Sequence, residues 1–401
     1  MTEAAFLRKL EEVARNLAKY PKEDVFIIHH DEADGLCSAS IMKAALERLG
    51  FTSRTVCIDK LFPEIVEKLH DKEGGIYVYA DIGAGHAQMI SSKNQSRNLV
   101  IILDHHDTQV TQDPSVYNLN PELYGLRGET EASASTVVYL FAKALDESNM
   151  DLAHLAVIGA AEIPGPMRGL NKIALNDAVT RRSVSVNASG TREEIKVLAM
   201  GKGLSYRRAS TLLSVLGSVG YYRDGPGRGI EACLKGWDKD VERLALQFEE
   251  ERKRANKRLQ NRLYEDGLNQ LINLQWFHAG DNFEGMGTKV IGSFCSYLSF
   301  QRIVDPMRYL VGMMNASSTI PGFGELSNKY VKVSGRAPRS LSKMIEQNAK
   351  PPLSKILPEA CESCGGFGDG HTVAASGVVL AGTEERFIKA LDELASKNDK
   401  P

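Results

Sequence analysis

Cysteine is scarce in this chain: six residues out of 401, at positions 37, 57, 233, 295, 361 and 364. They are scattered and mostly in apolar surroundings, which excludes a disulfide-stapled scaffold and points to a reducing, cytoplasmic setting. An excess of one charge is lacking too, with Lys+Arg 49 against Asp+Glu 51 and a formal net charge of -2. Any basic surface for nucleic acid must therefore be local. Long hydrophobic runs are missing: the longest, such as 99–103 and 378–381, fall far short of the roughly 18 residues of a spanning helix, so no membrane partner is expected. There is no proline or glutamine tract, and 43% hydrophobic with 25% charged residues excludes disordered and fibrous classes for the bulk of the chain. Near the start, Phe6, Leu7, Leu10, Val13 and Leu17 are spaced as an amphipathic helix, not as the charged-then-apolar plan of a signal peptide.

What is present is enough chain for two or three domains of roughly 150 residues. The first 110 residues alternate between two periodicities, predicting strands at 25–28, 53–58, 76–82 and 98–103 and helices at 37–49, 62–70 and 86–92. Apolar strands that are each followed by a helix make a parallel sheet covered on both faces, with ligands at the carboxyl ends of the strands. The pattern is helical from 130 to about 186, and 192–234 reads as short helices with a glycine-rich turn at 224–229. A long charged stretch, 238–272, contains ERKRANKRLQNR at 251–262. It reads as the solvated face of a connecting helix, with a nucleic-acid-tracking stripe as the alternative. Trp237 and Trp276 flank it as packing residues. A second α/β domain follows, with strands near 274–279, 308–314, 329–334 and 374–380 and helices at 340–348 and 383–396.

The chemistry gathers at strand ends. Strand 25–28 runs into HHDEADG, 29–35, where His30, Glu32 and Asp34 alternate and so point to one side of an extended chain. Strand 76–80 delivers Asp81, and strand 99–103 delivers Asp104, His105 and His106. Carboxylates and imidazoles converging from three neighbouring strands suit hard or borderline divalent metals. Two such ions, roughly 3.5–4 Å apart, can activate a water and clamp a phosphoryl group. Histidine among oxygen ligands favours manganese over magnesium. The lone CxxC of Cys361 and Cys364 lacks a second ligand pair, so zinc is not expected.

With DHH at 104–106 and an HxExDG pattern at 30–35, the chain resembles the DHH phosphoesterases, and specifically their archaeal RecJ-like branch. Residues 120–145 and 154–179 look like the connecting segments of that family. VSGRAPRS at 333–340 resembles its arginine motif, and GFGDGHTVAASG at 366–377 its glycine-rich GGHxxAAG substrate loop. The resemblance implies an α/β fold: a parallel-sheet DHH catalytic domain (1–190), a helical region with a long connecting helix (191–272), and a smaller α/β DHH-associated domain (273–401). Nucleic acid would lie in the cleft between the domains. It further implies Glu32, Asp34, Asp81, Asp104 and His105 as ligands of two divalent ions, manganese or magnesium, with His30 beside them. Asp104, His105 and His106 would be catalytic, with His106 contacting phosphate, and Arg336, Gly368, Gly370 and His371 would cradle the phosphates of the strand.

Two departures from the family pattern matter. Glu32 stands where the family has aspartate. Its extra methylene moves the ligand oxygen by roughly 1.5 Å, and a misplacement near 1 Å can cost on the order of 100-fold in rate. In GAAEIPG, 159–165, Ile163 takes the place of another aspartate, and only a one-residue shift would let Glu162 substitute. Two functions therefore stand side by side. One is a manganese-dependent phosphodiesterase or exonuclease that hydrolyses single-stranded DNA, RNA or short oligonucleotides by attack of an activated water on phosphorus. The other is a catalytically weak or inactive relative serving as a replisome or repair scaffold for single strands and protein partners. Cyclic dinucleotides stay open as substrates.

Overall fold

The computed structural model describes residues 2–189, 192–201 and 203–396. The chain divides into two compact units, Met1–Phe248 and Glu249–Pro401.

The first unit opens with α1 (Glu3–Ala18), capped by the Thr2 hydroxyl and burying Phe6, Leu10, Val13 and Leu17 as their spacing predicts. There follow β1 (Asp24–His29), α2 (Ala33–Arg48), β2 (Thr52–Cys57), α3 (Pro63–Leu69), β3 (Ile76–Ala80), α4 (Ala87–Asn94), β4 (Leu99–Leu103) and β5 (Val116–Asn118). The five strands form one parallel sheet in the order β2-β1-β3-β4-β5. Every position of β3 (IYVYA) and β4 (LVIIL) is buried, which is why both read as continuous apolar runs instead of alternating ones. Since β2 lies on one side of β1 and β3 on the other, the winding reverses between β1 and β3. Carboxyl strand ends at such a reversal are where ligands of open α/β sheets bind.

Helices α5 (Ala134–Leu145), α6 (Ala153–Gly159) and α7 (Gly169–Thr180) come next, and α2 packs against α5 and α6. Beyond them the expectation of short helices from residue 192 is corrected. β6 (Val184–Ser189), β7 (Arg192–Val197) and β8 (Leu204–Ser205) form an antiparallel sheet. The period-two alternation of VSVNAS and REEIKV carries that signal. The unit continues through α8 (Tyr206–Ser214), a π-helical turn at Val215–Val219, α9 (Gly225–Lys235) and a buried Trp237 into α10 (Lys239–Asp266), within which the division between units falls.

The second unit adds β9 (Asn269–Gln270), β10 (Leu274–His278), α11 (Lys289–Leu298), β11 (Tyr309–Asn315), β12 (Thr319–Ile320), β13 (Gly324–Glu325) and β14 (Tyr330–Arg336). It closes with α12 (Arg339–Glu346), α13 (Leu353–Ser363), β15 (Phe367–His371), β16 (Ala374–Leu380) and α14 (Glu384–Ser396). Its sheet runs β15-β16-β14-β11-β10-β9, with β10 and β11 parallel and the other pairs antiparallel. Val331 and Val333 of β14 join Leu341, Leu357, Phe387 and Leu391 of the helices in one core, against which Trp276 packs. The glycine-rich stretch at 366–377, expected as a loop, is a hairpin of β15 and β16. Its glycines serve close packing: a β-carbon on Gly377 would fall 2.6 Å from the Cys361 sulfur. Cys361 and Cys364 are both buried in this core.

Candidate metal centre

Three strand ends deliver the acidic and imidazole side chains to one place. After β1 the chain passes through His30 and Asp31, and α2 begins so abruptly that Asp34 lies in its first turn. The Asp34 carboxylate reaches across to the start of α5, where it accepts the Ala134 amide on Oδ2 (2.8 Å) and the Ser135 amide on Oδ1 (2.9 Å). A helix N-terminus favours such a negative charge. Asp81, directly after β3, adopts a left-handed backbone with φ of 65°, uncommon for a residue with a side chain but tolerated by aspartate. Asp104, directly after β4, accepts the Ala84 amide on Oδ2 (2.9 Å), while its Oδ1 accepts the His105 amide (2.8 Å) and pairs with His106 Nδ1 (2.7 Å).

These groups face one another. His105 Nε2 lies 3.7 Å from both Asp34 Oδ2 and Asp81 Oδ1, and His106 Nδ1 lies 3.9 Å from Asp81 Oδ1. His30 Nδ1 is 3.8 Å from Asp81 Oδ2. His105 Nδ1 is 3.1 Å from the Gly128 carbonyl, to which it donates, leaving Nε2 unprotonated and turned to the carboxylates. Asp81, His105 and His106 bring ligand atoms within 4.8 Å of one another, the one such group among the described residues.

The electrostatics follow from this crowding. Burial pushes the Asp81 carboxyl well above its ordinary range, and the charges of Asp34, Asp104, Glu162 and Glu32 push it further. Burial acts the same way on Asp104, but the His106 cation, its hydrogen bond, His105 and the Ala84 amide outweigh it and hold that carboxyl well below the usual range. His105 is shifted down by burial and by the His106 charge, against the pull of Asp34 and Asp104. A neutral imidazole is the ligand form.

Asp81 Oδ1 provides the test of whether a cation fits. It is buried, has no hydrogen-bond partner, and faces two imidazoles. An oxygen in that position suits a divalent ion, which would also relieve the repulsion among the carboxylates. Glu32 and Glu162 stand further out. Glu32 is half-buried at the N-cap of α2 and makes no side-chain cap bond, and exposed Glu162 accepts the Ser214 hydroxyl at 3.2 Å. Ile163 follows it, half-buried.

Several supporting residues escape motif reasoning. Asp31, fully buried, has Oδ1 3.4 Å from His30 Nε2. Gly128 and Gly159 leave room for the site: a β-carbon on Gly128 would fall 1.9 Å from the His105 carbonyl oxygen, and one on Gly159 2.3 Å from Asp34 Oδ1. The glycine of GAAEIPG was the available signal for the second.

In the second unit, Arg336 ends β14 and is anchored locally. Its Nε donates to Ser296 Oγ (2.8 Å), Nη1 to Ser334 Oγ (3.0 Å) and the Gly335 carbonyl (2.8 Å), and Nη2 to the Gly292 carbonyl (3.0 Å). His371 pairs in register with Ala374, and Ala374 with Arg336, so all three lie on one face of the sheet. Gly368 and Gly370 alternate with His371 and face the other way, Gly368 against Leu357 and Pro358 of α13.

Residues 24–160 match the DHH family, N-terminal domain. An uncharacterized protein of Methanocaldococcus jannaschii is 29% identical over 194 residues, which cover 45% of this chain and 44% of that protein. Among solved structures, RecJ in complex with Mn2+ from Thermus thermophilus matches 99% of this chain with 55% of its own, at a TM-score of 0.65 and 15% identity. CDC45 from Entamoeba histolytica matches 98% of this chain with 99% of its own, at a TM-score of 0.56 and 10% identity. The chain thus spans about half the length of that RecJ, and the alignment with the Methanocaldococcus protein spans 44% of its length. No helix among the described residues is long and apolar enough to cross a membrane. Residues 24–160 thus match a DHH N-terminal domain, and the fold of the chain is similar to that of RecJ.

Proposed function

We propose that this protein is a divalent-metal-dependent phosphodiesterase that hydrolyses single-stranded nucleic acid or short oligonucleotides. The observation that carries the reading is the unpartnered, buried Asp81 Oδ1 facing His105 and His106. Asp34, Asp81, Asp104 and His105, with Glu32 and Glu162, would hold the cations. Imidazole in the set favours manganese. When bound, such ions supply an activated water and neutralise charge on the phosphoryl oxygens.

The chain's own residues do the rest. Asp104 accepts the Nδ1 proton of His106 and thereby fixes that ring, which is 41% exposed, with its other nitrogen left for a phosphoryl oxygen or a leaving group. The Gly128 carbonyl does the same for His105. The α5 amides hold the Asp34 carboxylate in place. Arg336 and His371, sharing a sheet face in the second unit, are proposed to contact the phosphates of the strand.

A second reading is favoured by one feature. Both Asp34 oxygens already accept backbone amides, and Ile163 brings no carboxylate. With the second metal position weakened, the protein would serve as a single-strand-binding scaffold instead of a hydrolase. The deciding experiment is hydrolysis of end-labelled single-stranded DNA and RNA with manganese, beside Asp104→Ala. Cleavage lost in the variant supports the enzyme. No cleavage by the unaltered protein, with manganese bound, refutes it in favour of the scaffold.

A further inference from the structure

The basic run at 251–262 is not absorbed by the metal centre, and the second unit shows what its helix face forms. Six basic residues and no acidic one occupy 252–262, in a chain whose net charge is -2. Arg258 and Arg262 fasten this part of α10 to the unit by donating to the carbonyls of Asn282 (3.3 Å) and His278 (2.8 Å). The adjoining helix face, stepping from Lys253 through Lys257 and Gln260 to Tyr264, lines an open groove of about 400 Å³ together with Tyr297 of α11.

Two aromatic rings stand in this groove while showing much of their surface to solvent, Tyr264 at 52% and Tyr297 at 44%. Tyr297 is held rigid by packing against Phe294, with ring centroids 6.3 Å apart, and by Gln260 Nε2, which donates to its hydroxyl at 3.0 Å. Tyr264 sits about one helical turn beyond Gln260, about 6 Å along the axis. Between the lysines and the rings lie the amides of Asn256, Gln260 and Asn261. Lys253 pairs with Glu250 at 2.7 Å, but both side chains are more than half exposed, so a phosphate displaces that pairing at little cost.

We infer that this groove is a binding site for two or three nucleotides of a single strand, with bases stacked on Tyr264 and Tyr297 and phosphates on Lys253 and Lys257. Stacking platforms beside a positive track are what sequence-tolerant single-strand binding requires. The inference rests on the proposed function only for the class of ligand, and it adds a strand contact to those proposed for Arg336 and His371.

The test is fluorescence anisotropy with the full chain and labelled twelve-nucleotide oligo-dT and oligo-rU, in EDTA, across a salt series. Reading in EDTA separates the two claims, because failure to hydrolyse leaves a binding result intact. Tyr264→Ala and Tyr297→Ala should each weaken binding about 5- to 150-fold, and Tyr264→Phe should bind as the unaltered protein does. Lys253→Ala with Lys257→Ala should lower the slope of log affinity against log salt by about 1.4, at 0.7 per phosphate contact. Photocrosslinking of bromouracil-substituted oligo-dT to the unaltered protein should label Tyr264 or Tyr297 whether or not a variant folds. Binding unchanged by the tyrosine variants, crosslinks confined to other residues, or no binding of either oligonucleotide overturns the inference, the last leaving the two rings to a protein contact.

Discussion

Asp34 and Gly159 stand so close that a β-carbon on the glycine would lie 2.3 Å from the Asp34 Oδ1. The same carbon would lie 2.1 Å from the Ser135 hydroxyl, so both the carboxylate and its clamp on α5 depend on a missing side chain.

Gly159→Ala therefore tests the architecture of the site. Gly159 has ordinary helical torsions, φ -62° and ψ -42°, so alanine in open space would gain about 1 kcal/mol of helix propensity. Here it should instead cost about 1–3 kcal/mol through overpacking and reduce hydrolysis by roughly 100-fold through displacement of Asp34. Urea unfolding and single-turnover rates check this, and a stabilised, fully active variant would contradict the close packing.

Asp81→Asn addresses the crowded charges. Burial and the neighbouring carboxylates work against ionised Asp81, and asparagine keeps its shape without charge. The metal-free variant should melt at or above the unaltered protein, by roughly 2–4 °C for each kcal/mol relieved in a unit of this size. Adding manganese should raise the melting temperature of the unaltered protein and leave the variant unmoved. Calorimetric scans with and without manganese separate the two effects, and an equal metal-induced shift in both proteins would remove Asp81 from the ligand set.

Stability in mild acid should depend on His70. This imidazole is buried beside the Tyr79 hydroxyl, 2.8 Å from its Nε2, and burial lowers its pKa to about 4. The unfolded chain takes up that proton near pH 6.5, the folded one only near 4, so stability is full above about 6.5 and falls as pH drops through that window. The loss from this group approaches roughly 3 kcal/mol at the lower end. His70→Gln should flatten the corresponding part of a stability–pH curve measured by urea titration, and an unchanged curve would refute the assignment.

Arg336→Lys should destabilise the second unit. The guanidinium joins β14 to α11 through Ser296 and Gly292, and an ammonium cannot reproduce that fork. A loss of about 2–4 kcal/mol is expected. The variant should also bind single strands more weakly, and unfolding followed at tryptophan fluorescence together with anisotropy distinguishes a purely structural arginine from one that serves both purposes.

Much of the first unit was legible because its information is local. Runs such as IYVYA and LVIIL declare buried parallel strands, and the residues that terminate them, Asp81 and Asp104 with its two histidines, are adjacent in sequence to those runs. The supports of the site were not legible. Asp34 meets amides a hundred positions away, and Gly128 and Gly159 matter only through what presses on them. In the second unit, helices α11 and α13 lie outside the expected elements. Each carries a residue that weakens a helical reading, Gly292 in one and Pro358 in the other. Strand β15 was hidden for a related reason, since its glycines match a loop by composition and a closely packed sheet edge by structure.

The turn between β1 and α2 is completed from far along the chain. Ser214 Oγ accepts the Ala33 amide across a separation of 181 residues, and Gly217 in the π-helical turn sits so close to the Asp31 carbonyl that a β-carbon there would fall 1.8 Å from it. During synthesis, then, the turn between β1 and α2 is made early but braced late, after the chain as far as Gly217 has been added and folded back. Contacts of that span form slowly because a long loop must close first. The ordering gives the molecule a built-in delay: a partly made chain holds the turn after β1 without its brace, which arrives only with a finished first unit.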